Sequence, residues 1–122
     1  MFNYIIFAIA IFFISKKIYQ FKTIKQYTPV DVINGVENSV LLDVRTEYER
    51  NKNKIKNSIH IPLNEILQRS KEIDKYRDKE IICYCQSGSR SLSAASKLKK
   101  LGFKSANMKG GIAEWNFYNQ VN

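Results

Sequence analysis

The chain is poor in the residues that build metal and redox centres. It holds one histidine and two cysteines among 122 residues. No zinc-ligand spacing and no cofactor motif is present, so neither a metal nor a prosthetic group is expected. Cys83 and Cys85 sit one residue apart on what reads as a strand. Side chains at that spacing point the same way, yet their sulfurs are poorly placed to bridge, which excludes a disulfide framework. Free thiols suit a reducing compartment. Also missing are an arginine-rich block and a ladder of stacking aromatics. The net charge of +9 comes from 20 basic and 11 acidic residues. Lys16, Lys17, Lys22 and Lys25 crowd behind one N-terminal segment, and the remainder is spread along the chain. Nucleic acid is therefore not an expected partner. There is no internal repeat, and the length allows one domain rather than two. Richness in lysine, asparagine and isoleucine hints at an AT-rich bacterial genome.

The stretch "MFNYIIFAIAIFFIS" carries no charged side chain and is closed by Lys16 and Lys17. As a helix it spans roughly 22 Å, short of a hydrocarbon core of about 30 Å. Snorkelling lysines, the flanking Ile18, Tyr19 and Phe21, and local bilayer thinning offset that shortfall. A secretory signal would need a basic n-region, which is lacking, and a small-x-small cleavage site after the run, whereas "AIA" lies inside it. The run is apolar on every side, unlike an ordinary core helix. Residues 1–21 are therefore expected to be a single-pass membrane anchor, with one domain over 22–122. All nearby lysines follow the run, so the positive-inside rule places that domain in the cytoplasm.

Beyond the anchor, short strands and helices alternate. Strands are expected at "TIKQYT" (23–28), "SVLLDV" (39–44), "SIHI" (58–61), "EIICYC" (80–85) and, weakly, "KSANM" (104–108). Helices are expected after Thr28-Pro29, an N-cap followed by a first-turn proline, and over "TEYERNK", where Thr46 and Glu49 have capping-box spacing. A further helix is expected over 64–74, with Asn64 as its cap and Ile66, Leu67 and Ile73 on one stripe. After "EIICYC" comes a helix with Leu92, Ala95, Leu98 and Leu101 facing inward and Gly102 as its left-handed stop. "IAEWNFY" closes the chain as a helix. The alternation points to an α/β fold with a central parallel sheet covered by helices on both faces.

In such a sheet, ligands bind beyond the carboxyl ends of the strands. Cys85 falls at that edge, followed by Gln86, Ser87, Gly88, Ser89 and Arg90 on the way into a helix. Small side chains let successive backbone amides turn inward and form an anion-binding nest at the helix start. Such a nest holds a cysteine as thiolate, below its usual pKa of about 8.5. Gly88 supplies the unusual backbone angles, and the hydroxyls of Ser87, Ser89 and Ser91 are further donors. A plain strand-to-helix turn with an incidental cysteine remains the competing reading of these residues alone.

"CQSGSRS" resembles the active-site loop of the rhodanese (thiosulfate sulfurtransferase) family, commonly Cys-x-x-Gly-x-Arg-Ser. "LLDVRTEYE" (41–49), "SIHIPL" (58–63) and "LGFKSANMKGGIAEW" (101–115) resemble family landmarks in the expected order, so the similarity covers about residues 23–118. At 53–58 the chain reads "NKIKNS" where the family often has Gly-His-Ile-Pro-Gly-Ala, with Lys54 at the histidine and Asn at both glycines. The resemblance implies a rhodanese-like three-layer fold and a sulfurtransferase. Cys85 would take the outer sulfur of a small donor anion such as thiosulfate, a persulfide or a polysulfide, then pass it to a thiol, to cyanide or to a protein persulfide partner. Four residues separate Cys85 from Arg90, whereas cysteine phosphatases have five, so the shorter loop favours sulfur over phosphate. A non-enzymatic module at the membrane, its cysteine vestigial, is the alternative of another class.

The resemblance also implies supporting roles. Asp43 is expected to steady Arg90 as a structural pair. From the residues alone, Arg45 is expected to pair with a nearby carboxylate, Glu49 being one candidate. Cys83 reads as a small core residue, His60 as structural and Trp115 as a core anchor of the last helix.

Overall fold

The computed structural model describes residues 2–121. Five strands form one sheet in the order β1-β5-β4-β2-β3, with every pair parallel: β1 (Lys25–Tyr27), β2 (Ser39–Asp43), β3 (Ile59–His60), β4 (Glu80–Tyr84) and β5 (Lys104–Met108). The helices are α1 (Phe2–Thr23), α2 (Pro29–Ile33), α3 (Glu47–Lys52), α4 (Ile66–Arg69), α5 (Ser89–Lys100) and α6 (Gly111–Val121).

Strand alternation divides the core into two layers. On β4, Ile81 and Cys83 enter one apolar cluster, followed by Cys85, with Leu42, Leu92, Leu98 and Phe103. Ile82 and Tyr84 point to the other face, against Ala106, Met108 and Ile112, with Trp115 packed alongside. The two-residue period thus puts both cysteines on the α5 side. Cys83 is fully buried, and burial pushes its thiol well above a cysteine's ordinary pKa. It is a core residue.

Thr28 and Thr46 cap α2 and α3 in full capping boxes, with the Asp31 and Glu49 carboxylates accepting in return from the cap backbone N–H. The helix expected over 64–74 is instead broken. A 3₁₀ turn (Leu63–Glu65), the single turn of α4 and a 3₁₀ stretch (Ser70–Tyr76) follow one another, and Asn64 caps nothing. The inward residues explain it. Leu63 and Ile66, and again Ile73 and Tyr76, lie three apart, and a 3₁₀ helix eclipses side chains at that spacing. Leu67, expected on the same stripe, is exposed.

Leu101 is also exposed, contrary to its expected inward position. Helix α5 ends at Lys100, Gly102 takes φ +91°, and the chain reverses so that Phe103 fills the core. The Phe103 amide then donates to the Leu98 carbonyl at 3.0 Å, as in a glycine-stopped helix.

Helix α1 continues without a break through its lysines to Thr23, which confines β1 to three residues. Its 22 residues span about 33 Å. Among the described residues it is the one helix long and apolar enough to cross a membrane.

Candidate active site

The loop that follows β4 is pinned from two sides. The first amides of α6 reach back to it: Ile112 N–H donates to Cys85 O at 2.9 Å, and Ala113 N–H to Gln86 O at 3.2 Å. Gly111 makes this approach possible. A Cβ there would lie 2.5 Å from Cys85 O and 2.4 Å from Gln86 O, and its φ is +62°. On the other side, Asn107 Nδ2 donates to Gly88 O at 3.2 Å. Gly88 itself has φ +105°, and a Cβ on it would meet Gly110 N at 3.0 Å. Two elements distant in sequence therefore set the loop's shape.

Within that frame, donors converge on the Cys85 sulfur. Gly88 N–H lies 3.1 Å from Sγ, Ser91 N–H 3.4 Å and the Ser91 hydroxyl 3.3 Å. Burial pushes the thiol up, but the Ser91 hydroxyl and the amides of Ser91, Gly88 and Ser87 outweigh it, leaving the pKa below the ordinary value. Of the three serine hydroxyls expected as donors, only that of Ser91 reaches sulfur. Ser87 contributes its amide, and both Ser87 and Ser89 are exposed, as is Gln86. Cys85 itself has no exposed surface, so the sulfur lies beneath the loop rather than at its lip.

The expected ion pairs exchange partners. Arg90 makes a bidentate bond to Glu49, Nη1 to Oε1 at 2.6 Å and Nη2 to Oε2 at 2.8 Å, and not to Asp43. Arg45 bonds Asp43 through its backbone amide (2.9 Å), Nε (3.0 Å) and Nη2 (2.9 Å), and not Glu49. The reason is saturation. Asp43 also accepts from Arg50 Nη1 and from the Tyr84 hydroxyl, each at 3.1 Å, leaving no lone pair for a more distant guanidinium. Glu49, held by the Thr46 cap on α3, faces Arg90, whose hydrogen bonds draw its pKa down to about 2. Asp43 is fully buried; burial works against its charge, yet the Arg45 and Arg50 bonds hold its carboxyl below the usual range. His60 bonds the Arg45 carbonyl at 2.7 Å, a structural placement.

Sequence reasoning missed Tyr84, Asn107 and the loop-pinning role of Gly111. The "GG" pair was visible, but nothing local says which backbone it must pass. It also missed Lys17. That residue of α1 donates to Ser89 O at 2.7 Å and to Ser93 Oγ at 2.8 Å, so it lies against the start of α5.

The sequence pattern of the rhodanese-like domain family matches residues 28–117. The chain belongs to this family. It is 35% identical over 80 residues to a sulfurtransferase of Allochromatium vinosum, covering 65% of this chain and 73% of that protein. It is 36% identical over 109 residues to the uncharacterized protein YqhL of Bacillus subtilis, covering 88% of this chain and 85% of that one. The second match reaches beyond the family domain and takes in part of α1. A rhodanese-related protein from Thermoplasma volcanium has the same fold, with a TM-score of 0.71, 31% identity, and coverage of 77% of this chain and 92% of that one. The rhodanese-like chain thus carries its loop cysteine in a ring of donors, with the loop arginine tied to α3.

Proposed function

We propose that this rhodanese-like protein is a sulfurtransferase that carries sulfane sulfur on Cys85. One observation carries the reading: two amides and the Ser91 hydroxyl are aimed at a single sulfur whose pKa lies below its ordinary value. The Cys85 thiolate attacks the outer sulfur of thiosulfate, a new S–S bond forms, the old one breaks, and its electron pair leaves with sulfite. The same displacement on a persulfide or polysulfide releases a thiolate or a shortened chain. Cys85 is left as a persulfide anion, whose charge the loop donors stabilise as an oxyanion hole would. An acceptor thiolate or cyanide then attacks the terminal sulfur and restores the Cys85 thiolate, a two-step covalent cycle. No metal or cofactor takes part in this scheme. Gln86, Ser87, Gly88, Ser89 and Arg90 form the binding loop. Asp43 and Arg45 brace the end of β4 ahead of the loop through the Tyr84 hydroxyl, and Ser91 acts on the sulfur directly.

Three features favour sulfur over phosphate. Four residues separate Cys85 from Arg90, the arginine is engaged by Glu49, and the sulfur has no exposed surface. A donor that ends in one sulfur atom is thinner than a tetrahedral phosphoryl group. The buried sulfur also favours a second reading, a non-enzymatic module that localises a partner. Mass spectrometry of the intact protein after thiosulfate or polysulfide separates the two. Transfer predicts a gain of one sulfur atom on Cys85, lost on adding thiol and absent in Cys85→Ser. No adduct with any of these donors favours the module.

Helix α1 is read as a single-pass anchor in the cell membrane over residues 1–21, with the domain over 22–122 on the cytoplasmic side by the positive-inside rule. Retention in membranes through a high-salt wash is expected, and release by salt would mean that the lysines alone hold the chain there.

A further inference from the structure

The last turns of α1 are not a loose tether. Lys17 bonds the first turn of α5, Lys99 on α5 donates to the Thr23 carbonyl at 2.9 Å, and Ile24 enters the core. Between the two helices this packing leaves a crevice of about 570 Å³. One wall is apolar, made by Phe13, Ile14 and Leu63. The ammonium-bearing side chains of Lys16, Lys17, Lys97 and Lys100 line it, with no carboxylate among the lining residues. Gln20, 7% exposed, also lines the crevice, and its Oε1 has no hydrogen-bond partner.

Each feature asks for something different from an occupant. Like charges from two separate helices call for an anion. A buried amide oxygen left without a donor is costly, and an occupant carrying a hydroxyl would relieve it once the Gln20 amide turns toward the crevice. The apolar wall runs directly into the exposed lipid-compatible flank of α1, where Phe13 and Ile14 are 61% and 59% exposed. A free phosphate or headgroup would leave that wall uncovered, whereas an acyl chain would continue along it. The crevice also lies where the apolar run of α1 gives way to lysines, the level of the headgroups if α1 spans the bilayer.

We propose that the crevice between α1 and α5 is a binding site for an anionic glycerophospholipid with a hydroxylated headgroup, its phosphate among the four lysines and an acyl chain along Phe13 and Ile14. The inference rests on the reading of α1 as a membrane anchor. Because Lys17 links this crevice to the carbonyl of Ser89, the bound lipid would sit one side chain away from the Cys85 loop.

The test uses the full-length chain in detergent with equimolar phosphatidylglycerol and phosphatidylcholine, read by native mass spectrometry. Preferential retention of one phosphatidylglycerol is expected. Each headgroup-level lysine contributes about fivefold to that preference, so Lys97→Gln with Lys100→Gln should lower it by about 25-fold. Lys71→Gln with Lys75→Gln, an equal charge change away from the crevice, should leave it unchanged. Gln20→Leu should weaken phosphatidylglycerol more than a phosphatidic acid of the same chains. Equal retention of the two lipids overturns the proposal, as does equal loss in both lysine pairs. So does competition by glycerol phosphate at the lipid's own concentration, which would assign the site to a free anion. Fractionation of the cells before detergent is added keeps the underlying reading separate. A chain that stays in membranes but shows no lipid preference sinks the site alone, whereas release into the soluble fraction sinks the anchor and the site together.

Discussion

Replacing Ser91 with alanine removes one of the donors to Cys85 and nothing else from the ring. The hydroxyl lies 3.3 Å from Sγ, is fully buried, and sits on a helix whose next inward residues, Ala94 and Ala95, are already small. A hydrogen bond to a charged group contributes about 1.5–3 kcal/mol, or about 1–2 pKa units when the charge is the titrating one. The Gly88 and Ser91 amides remain, so the Cys85 pKa should rise by that amount while the loop keeps its shape. The rate of alkylation by iodoacetamide across the neutral and alkaline range reads the midpoint directly, and thiolate absorbance checks it. Stability supplies a second readout with a definite sign. A folded-state pKa below the unfolded value means that ionised Cys85 stabilises the fold at pH above the unfolded value. That contribution disappears as pH falls through the folded one. The variant should therefore trail the parent most in alkali, with the gap narrowing in acid. An unchanged or lower midpoint would show that the hydroxyl does not stabilise the thiolate, and the argument from convergent donors would fall with it.

Asp43→Asn should be far more damaging than its distance from sulfur suggests. It leaves Arg45, 1% exposed, as a buried cation with a neutral partner, and breaking such a pair costs about 3–5 kcal/mol, measurable by urea denaturation. Glu49→Gln should cost only about 1 kcal/mol at neutral pH because the Arg90 pair is partly exposed. The Glu49 pKa is drawn down to about 2, so this stabilisation is complete above the ordinary glutamate range and fades as pH falls toward 2. Denaturation curves of parent and variant should converge there. Gly111→Ala places a Cβ within 2.5 Å of two loop carbonyls at positive φ, and strain of this kind costs about 1–3 kcal/mol. Lost alkylation selectivity for Cys85 over Cys83 should accompany it, whereas a normally stable, normally reactive variant would remove α6 from the account of the loop.

The architecture was legible because its signals are local and redundant. "SVLLDV" and "EIICYC" are continuous apolar runs, as strands buried on both faces must be, and Thr28 and Thr46 announce helix starts by their own chemistry. The loop was legible chiefly through its resemblance to the rhodanese active-site loop, because a cysteine after a strand, small residues and a helix also fit a plain turn. Partner choice was not. Asp43, Arg45, Glu49 and Arg50 lie within one short stretch, Arg90 joins them from the start of α5, and composition allows several pairings. Which one forms depends on donors such as the Tyr84 hydroxyl that arrive from across the sheet. The break at 63–76 was hidden because a three-residue apolar spacing also satisfies an α-helical stripe read over a short window.

The charge arrangement around Cys85 separates two ways of stabilising a thiolate. Arg90 is cancelled by a bidentate carboxylate, and Lys17 rests on a carbonyl and a hydroxyl. The groups that touch sulfur are amide dipoles and one hydroxyl within a loop that leaves the residue no exposed surface. Dipoles in direct contact are not screened by salt, whereas a cation acting across solvent is, because the Debye length falls to about 3 Å at about 1 M ionic strength. The Cys85 pKa should therefore stay within about 0.3 units between low salt and about 1 M salt. Alkylation midpoints at the two ionic strengths measure this, with potassium chloride chosen so that no ion competes for the thiolate. A rise of about a full unit at high salt would mean that Lys17 or Arg90 holds the charge from a distance. The amide ring would then be a consequence of the turn rather than the device that makes the sulfur reactive.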